Sequence, residues 1–292
     1  MIDIPRQQIP GVYHRRVGDI VVTAISDGFL DGSMQVLRNI TVDEATSILA
    51  ASFRPARRTS VNAFLIYSAG RLALVDTGSG NYLLPTAGKV LANIRAAGVD
   101  PASIDTVLLT HMHPDHSAGL ADRTTGERYF PNAELVMHEC EPVHWFDDAN
   151  MAKGTVREKR DFFQAGREQV TPYRDRWRLF KSGEVFPGVT AIPRPGHTPG
   201  HTTYMVTSGK EQLLIWGDTV HVSEVQTARP EVCMDFDTDK DLAADSRRKT
   251  FDMVATDRLL VTGMHLHFPG FAHLVRDGSG YRLIPEAWQH AL

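Results

Sequence analysis

The chain has 292 residues, 42% of them hydrophobic and 23% charged, and a net charge of −4 at pH 7. That is the make-up of an ordinary globular protein, and its slight acidity excludes the broad cationic surface that nucleic acid or anionic lipid requires. No apolar run approaches the ~18 residues of a membrane-crossing helix, so neither a membrane nor nucleic acid is expected as a partner.

The chain opens with Met1-Ile2-Asp3-Ile4-Pro5-Arg6-Gln7-Gln8, which lacks the basic and then apolar blocks of a signal peptide. Cys140 and Cys233 stand far apart, in no Cys-x-x-Cys pair, and read as reduced. Together these features indicate a cytoplasmic protein, unless a signal peptide has been removed. No linker, low-complexity tract or charge block divides the sequence, so residues 1–292 read as a single domain.

Asp19 to Ser26 is a β-branched run closed by Asp27-Gly28, and Thr41 with Glu44 forms a capping box for a helix to about Ser52. Val61 to Tyr67 and Leu72 to Val75 are strands joined at Ala69-Gly70. Val90, Ile94 and Ala97 recur at helical spacing, with Gly98 as the stop. A strand at Thr106 to Leu109 follows, then helical segments near Glu139 to Asp148 and Thr155 to Gln169. Short strands are expected at Val189 to Ile192, His201 to Val206 and Leu213 to Trp216. Asp237 or Thr238 caps a helix to about Val254, with Asp239 and Asp241 in its first turn. A last strand spans Leu259 to Thr262, and Gly270 to Leu292 reads as loops and one further strand. Strand-rich segments interleaved with helices fit two packed sheets with helices outside.

Chemistry gathers at the strand ends. Val107-Leu108-Leu109 leads to His111, His113, Asp115 and His116; Val189 to Ile192 leads to His197; Leu213 to Gly217 leads to Asp218; Leu259 to Gly263 leads to His265. Neutral imidazole and carboxylate are the donors that zinc and similar cations take, and loops on a rigid sheet edge are where such sites are built. Five His and two Asp suffice for two metal ions sharing one carboxylate.

The strings His111-x-His113-x-Asp115-His116, Gly196-His197-Thr198-Pro199-Gly200-His201, Gly217-Asp218-Thr219 and Gly263-Met264-His265 resemble the metallo-β-lactamase superfamily. Leu74-Val75-Asp76-Thr77-Gly78 matches its early strand-turn signature, and the resemblance runs from about Val21 to Trp288. It implies an αββα sandwich, two mixed β-sheets packed face to face with helices outside. It further implies that His111, His113 and His197 bind one metal, that Asp115, His116 and His265 bind a second, and that Asp218 bridges them. Asp76 would steady a ligand imidazole from behind, or else serve as a strand-end turn carboxylate. The metals would be two divalent ions, zinc by default, with manganese, cobalt or iron using the same donors.

Fold alone does not choose the chemistry. Among branches, the chain is most similar to the one containing methyl parathion hydrolase and related lactonases, through Thr59 to Leu65, Gly217 to His221, Ser246 to Lys249 and His265 to Gly270. His221 and Phe236 stand where organophosphate hydrolases tend to carry aliphatic residues, which favours lactones and aryl esters. The expectation is a dinuclear hydrolase opening dihydrocoumarin-type or acyl-homoserine lactones, a quorum-quenching activity, by attack of a metal-bridging hydroxide. An organophosphate triester hydrolase is the alternative; a β-lactamase or a non-catalytic metal-binding module ranks below it. Asp115 would also shuttle the proton, and His221 would donate to the substrate carbonyl, or else be a loop residue facing solvent. Phe29, Trp145, Phe146, Phe236 and Phe268 are candidates for an apolar pocket wall, with core packing the alternative for each. The partner would be a small neutral lactone or ester, and relatives suggest a homodimer.

Overall fold

The computed structural model describes residues 4–6, 8–54 and 57–292; the N-terminal reading therefore falls partly, at Met1, Ile2, Asp3 and Gln7, outside the described residues. Sixteen strands appear in chain order among them. They are β1 (Val12–Val17), β2 (Ile20–Gly32), β3 (Leu37–Arg38), β4 (Arg57–Ser68), β5 (Arg71–Val75), β6 (Thr106–Leu108), β7 (Glu134–His138) and β8 (Trp177–Phe180). Then follow β9 (Gly183–Phe186), β10 (Val189–Pro193), β11 (Thr202–Ser208), β12 (Glu211–Ile215), β13 (Cys233–Met234), β14 (Leu260–Thr262), β15 (Ala272–Asp277) and β16 (Gly280–Pro285).

Two seven-stranded sheets result, ordered β1-β2-β4-β5-β6-β7-β8 and β16-β15-β14-β12-β11-β10-β9. Both are mixed: β5 through β8 run parallel in the first, and β12 pairs parallel with β14 in the second. The period of two along each strand sorts side chains to opposite faces. On β4, Phe64 and Ile66 point between the sheets, where they meet Tyr204, Val206 and Ile215, while Ala63 and Leu65 point outward to Ile94 and Phe130. On the far side, Leu214 and Val261 pack with Phe251 and Val254 of the helix Lys240–Asp257. Helices thus cover both outer faces, which is the αββα sandwich.

Several elements differ from the sequence reading. Asp27-Gly28 does not close β2; the pairing with β4 shifts register between Ser26 and Gly28, and the strand runs on to Gly32. Such a bulge absorbs one residue without ending the ladder, and the Asp27 carboxylate accepts from the backbone of Ser79 (2.8 Å) and Val90 (3.0 Å). The helix expected from Asp237 or Thr238 starts at Lys240, capped by Asp239, and reaches Asp257. The C-terminal segment forms not one strand but the hairpin β15–β16, closed at Asp277 and Gly280. Both cysteines are free, as read, and no helix among the described residues is long and apolar enough to cross a membrane.

Candidate metal centre

β5, β6, β10, β12 and β14 all end at one edge of the sandwich, and the loops that follow them meet there. Five imidazoles point at a single carboxylate oxygen. Asp218 Oδ2 lies 3.0 Å from His221 Nε2, 3.1 Å from His265 Nε2, 3.2 Å from His116 Nε2, 3.3 Å from His197 Nε2 and 3.7 Å from His111 Nε2. Asp115 Oδ2 lies 3.4 Å from His265 Nε2 and 3.6 Å from His116 Nε2. Three-donor groups able to grip one cation include His111, His113 and His197, and Asp115, His116 and His265. Asp218 also groups with His111 and His116, and with His197 and His221.

The seven residues expected as ligands are thus brought together. Buried polar atoms normally find hydrogen bonds, yet His113 Nε2, His116 Nε2 and Asp218 Oδ1 have none among the described residues. Imidazole nitrogens converging with two carboxylates, three of these donor atoms without a hydrogen bond among the described residues, fit a pair of divalent cations.

Four of the ligand imidazoles, His111, His116, His197 and His265, are anchored through their other ring nitrogen, which fixes tautomer and orientation. Asp76, in a left-handed backbone conformation (φ 57°) at the end of β5, accepts from His116 Nδ1 at 2.7 Å, from the Thr110 hydroxyl at 2.7 Å and from Thr110 N–H at 2.8 Å. The same hydroxyl lies 3.0 Å from His111 Nδ1, so one buried carboxylate orients two imidazoles. His197 Nδ1 donates to Asp237 at 2.7 Å, and His265 Nδ1 to the Ser60 carbonyl at 2.8 Å. Asp237 is therefore no helix cap.

The sequence pattern of the metallo-beta-lactamase superfamily matches residues 56–281. The chain belongs to that superfamily. It is similar to a crystal structure described as hydrolase AbOPH in the beta lactamase superfamily, at 32% identity over 97% of this chain and 100% of the other, with a TM-score of 0.90. AidC, described as a dizinc quorum-quenching lactonase in complex with a product, shares the fold at 24% identity, 96% and 99% coverage and a TM-score of 0.89. N-acyl homoserine lactonase AttM of Azorhizobium caulinodans is 28% identical over 131 residues, 43% of this chain and 44% of its own length. Probable metallo-hydrolase Rv2300c of Mycobacterium tuberculosis is 28% identical over 51% of this chain and 53% of its own length. The chain spans about half the length of these two curated relatives.

Electrostatics in this superfamily site follow from burial and crowding. Burial, then His116, pushes His111 well below the usual imidazole range; burial and His197 do the same to His113. Burial lowers His116 too, but Asp218, Asp115 and Asp76 override it and hold it well above that range. His197 is likewise raised to about 9, because its bonds to Asp218 and Asp237 outweigh burial. Burial would raise Asp218, yet His116, His265 and His221 keep it well below the ordinary carboxylate range. His221 is pushed by burial down to about 4. It is buried beside Asp218 rather than facing solvent, and neither ring nitrogen makes a hydrogen bond among the described residues.

Three polar residues escaped the sequence reading. Buried Glu141 accepts from Met112 N–H (2.8 Å), Trp145 Nε1 (2.8 Å), Gly200 N–H (2.8 Å) and the Thr198 hydroxyl (2.5 Å), tying the two loops that carry His111, His113 and His197. His201 is buried; its Nδ1 donates to the Arg194 carbonyl (2.9 Å) and its Nε2 accepts from Asp218 N–H (2.8 Å). Gly217 makes that approach feasible, since it holds φ +55° and a Cβ there would sit 2.5 Å from His201 Nε2. Arg247, within the Ser246 to Lys249 string, is buried and donates to the carbonyls of Thr219 (2.7 Å), Pro230 (2.9 Å) and Val232 (2.8 Å), fixing the loop beyond Asp218.

The aromatic candidates separate. Phe236 lies 5.3 Å from the His221 ring, 6.0 Å from His197 and 6.4 Å from His113. Trp145 is 5.4 Å from the His113 ring but buried in the core layer outside the first sheet. Phe146 packs on Trp177 at 5.6 Å instead, away from the ligands. Phe29 lies under the Arg58 guanidinium and lines a cavity of about 440 Å³ with Phe53 and His267. Phe268 packs against the core between the sheets and lines a separate cavity of about 640 Å³. The ring that does stack by the ligands is Phe162, 4.5 Å from His113 and 6.3 Å from Phe236, in a segment read only as helical.

Proposed function

We propose that the chain is a metal-dependent hydrolase that opens lactones or aryl esters, dihydrocoumarin and acyl-homoserine lactones among them. The observation that carries this reading is the convergence of five imidazoles on one oxygen of Asp218, at 3.0 to 3.7 Å, with inward nitrogens of His113 and His116 left without hydrogen bonds among the described residues. His111, His113 and His197 would hold one divalent cation and Asp115, His116 and His265 the other, with Asp218 between them. Zinc suits these donors, and manganese, cobalt and iron accept the same set. Such cations supply Lewis-acid polarisation of a carbonyl and a water pKa lowered to about 7.

The chain's own groups do the rest. Asp115 has the most open side chain of the ligand set, at 19% exposure. Its carboxylate stays ionised because His116 outweighs burial, so it can take the proton of an attacking water and deliver it to the leaving oxygen. In a lactone the leaving oxygen stays tethered, and protonation prevents reclosure. Neutral His221 has one ring N–H to offer the oxygen on which charge develops. Phe162 and Phe236, 6.3 Å apart and beside the ligand imidazoles, would supply an apolar wall for the substrate. The dizinc lactonase AidC and the lactonase AttM, as relatives, support this choice of substrate.

Elemental analysis should find about two metal ions per chain, and chelation should abolish hydrolysis. A His265→Ala protein with one metal and full activity would overturn the dinuclear assignment. In a defined-metal panel, kcat/KM for dihydrocoumarin or an acyl-homoserine lactone should far exceed that for a paraoxon-type phosphotriester. The reverse order would replace the lactonase reading with phosphotriester hydrolysis.

A further inference from the structure

Three arginines flank the ligand cluster beside β4, and two of them have acidic partners. Arg54 Nε lies 3.2 Å from Glu224 Oε1, and Arg58 makes two bonds to Asp31, at 2.8 and 2.9 Å. Arg57 differs. Its Nε donates to the Ser33 carbonyl at 3.0 Å, and no carboxylate among the described residues pairs with its guanidinium. Yet it is partly buried, and together with His221 and His265 it lines a narrow hollow of about 10 Å³, room for a single water-sized group such as one carboxylate oxygen. The one carboxylate lining that hollow, Glu224, is already held by Arg54 and by His267 Nε2 at 2.9 Å.

The guanidinium is seated by the fold. β2 ends at Gly32, which pairs in register with Arg57, and a Cβ on Gly32 would lie 1.6 Å from Arg57 Nη2 and 2.4 Å from its Cζ. The backbone of Gly32 is not left-handed, so the missing side chain is a matter of space: it leaves room for this cation. Two charged groups act on it from neighbouring elements, Arg157 with the same sign and Asp115 with the opposite one. Asp115 already faces His116 and His265. Burial and Arg157 both make the charge costlier than it is in water. A partly desolvated cation with no carboxylate paired to it gains from an anion that arrives with a ligand.

We propose that Arg57 is a substrate-recognition residue that binds a carboxylate carried by the ester or lactone substrate, outside the bond that is cleaved. The assignment rests on the hydrolase reading above and narrows it to acyl substrates with an anionic substituent. A planar guanidinium can meet such a carboxylate with two parallel N–H bonds, which an ammonium cannot reproduce.

The test uses the full-length, zinc-loaded protein with a matched ester pair, phenyl acetate and 4-acetoxybenzoate. The expected result is a higher kcat/KM for 4-acetoxybenzoate in the parent chain. Arg57→Gln should lose that preference by about ten- to a hundredfold, mainly through KM, with Arg57→Lys in between. Calorimetry with 4-methoxybenzoate and its neutral counterpart 4-methoxybenzamide reads recognition without turnover; only the benzoate should weaken, in the same order of variants. The proposal is overturned if Arg57→Gln lowers both esters by one common factor, or binds 4-methoxybenzoate as the parent does. Should Arg57→Gln fail to fold, Arg57→Lys decides the matter by the same two ratios. If none of the proteins hydrolyses either ester, the hydrolase reading falls, while the calorimetry still decides the role of Arg57.

Discussion

Glu141 offers the sharpest test of how this site is held. Its Oε2 accepts from Met112 N–H and Trp145 Nε1, and its Oε1 from Gly200 N–H and the Thr198 hydroxyl. Met112 sits between His111 and His113, and Thr198 directly follows His197, so one carboxylate clamps both parts of the first ligand trio. Glu141→Gln preserves shape and removes one acceptor oxygen. If the amide NH2 faced Met112 and Trp145, two buried donors would be orphaned. Turned the other way it faces Gly200 and Thr198, and the Thr198 hydroxyl can rotate to accept. That leaves a single orphan, Gly200 N–H, at about 1–3 kcal/mol. The surviving bonds lose their charge assistance. Against this, burial raises the Glu141 carboxyl above its usual range, so a neutral side chain recovers part of the loss.

The net expectation for Glu141→Gln is therefore a destabilisation of about 1–3 kcal/mol. Glu141→Leu, which strips all acceptors, should cost more, about 4 kcal/mol or above. Misplacing the loops that carry His111, His113 and His197 should also weaken metal binding by about ten- to a hundredfold. Urea unfolding of the metal-free protein reads the first effect; competition with a chromophoric chelator reads the second. If Glu141→Gln unfolds within about 0.5 kcal/mol of the parent and holds zinc equally well, the clamp is not what positions these ligands.

Two further outcomes are expected. Asp237→Asn should weaken metal binding by about tenfold or more, because it loosens His197 and turns an NH2 group toward the Met234 N–H that Asp237 now accepts from at 2.8 Å; unchanged metal retention on dialysis would contradict it. Far from the site, Arg178 donates to both oxygens of Glu134, at 2.8 and 2.9 Å, and holds its carboxyl below the usual range. A folded pKa below the unfolded one stabilises above about pH 4.3 and is lost as pH falls through the folded value. With both side chains about a third exposed, Glu134→Gln should cost no more than about 1 kcal/mol at pH 7, and the gap should close in acid. A gap that widens on acidification would refute the pairing argument.

The ligands were legible in sequence because each lies within a few residues of the strand that delivers it, so a local string carries the geometry. His111 to His116 follow β6, Asp218 follows β12 and His265 follows β14. The residues that aim those ligands were not legible, because their partners are distant in the chain. Met112 and Glu141 are 29 residues apart, His197 and Asp237 are 40, and His265 reaches back 205 to Ser60. An Asp followed by a helix reads as a cap whether or not a histidine waits across the fold, and so Asp237 was assigned to the helix that Asp239 in fact caps. His201 did carry a signal, standing four residues after His197 in the same Gly/Pro loop as the ligand.

The aromatic wall shows the same limit from the side of packing. Trp145 and Phe146 are neighbours at the end of the helix Cys140–Trp145, and successive helical residues point about 100° apart. Both could not face the ligands, and composition alone could not say which one did. The structure turns Trp145 inward, where its Nε1 is fixed by Glu141, and sends Phe146 to Trp177. With Trp145 beneath His113, the wall above it has to come from another element. Phe162 supplies it from the π-helical segment Lys159–Gln164, facing Phe236 from beyond Asp218. The aromatic rings beside the ligands thus come from two segments, 159–164 and 233–237, that carry none of the ligand strings, whereas the donors sit on the strand ends. The two sets can vary independently, which is why a complete ligand set identifies the superfamily without fixing the substrate; on the proposed function that choice falls to Phe162, Phe236, His221 and Arg57.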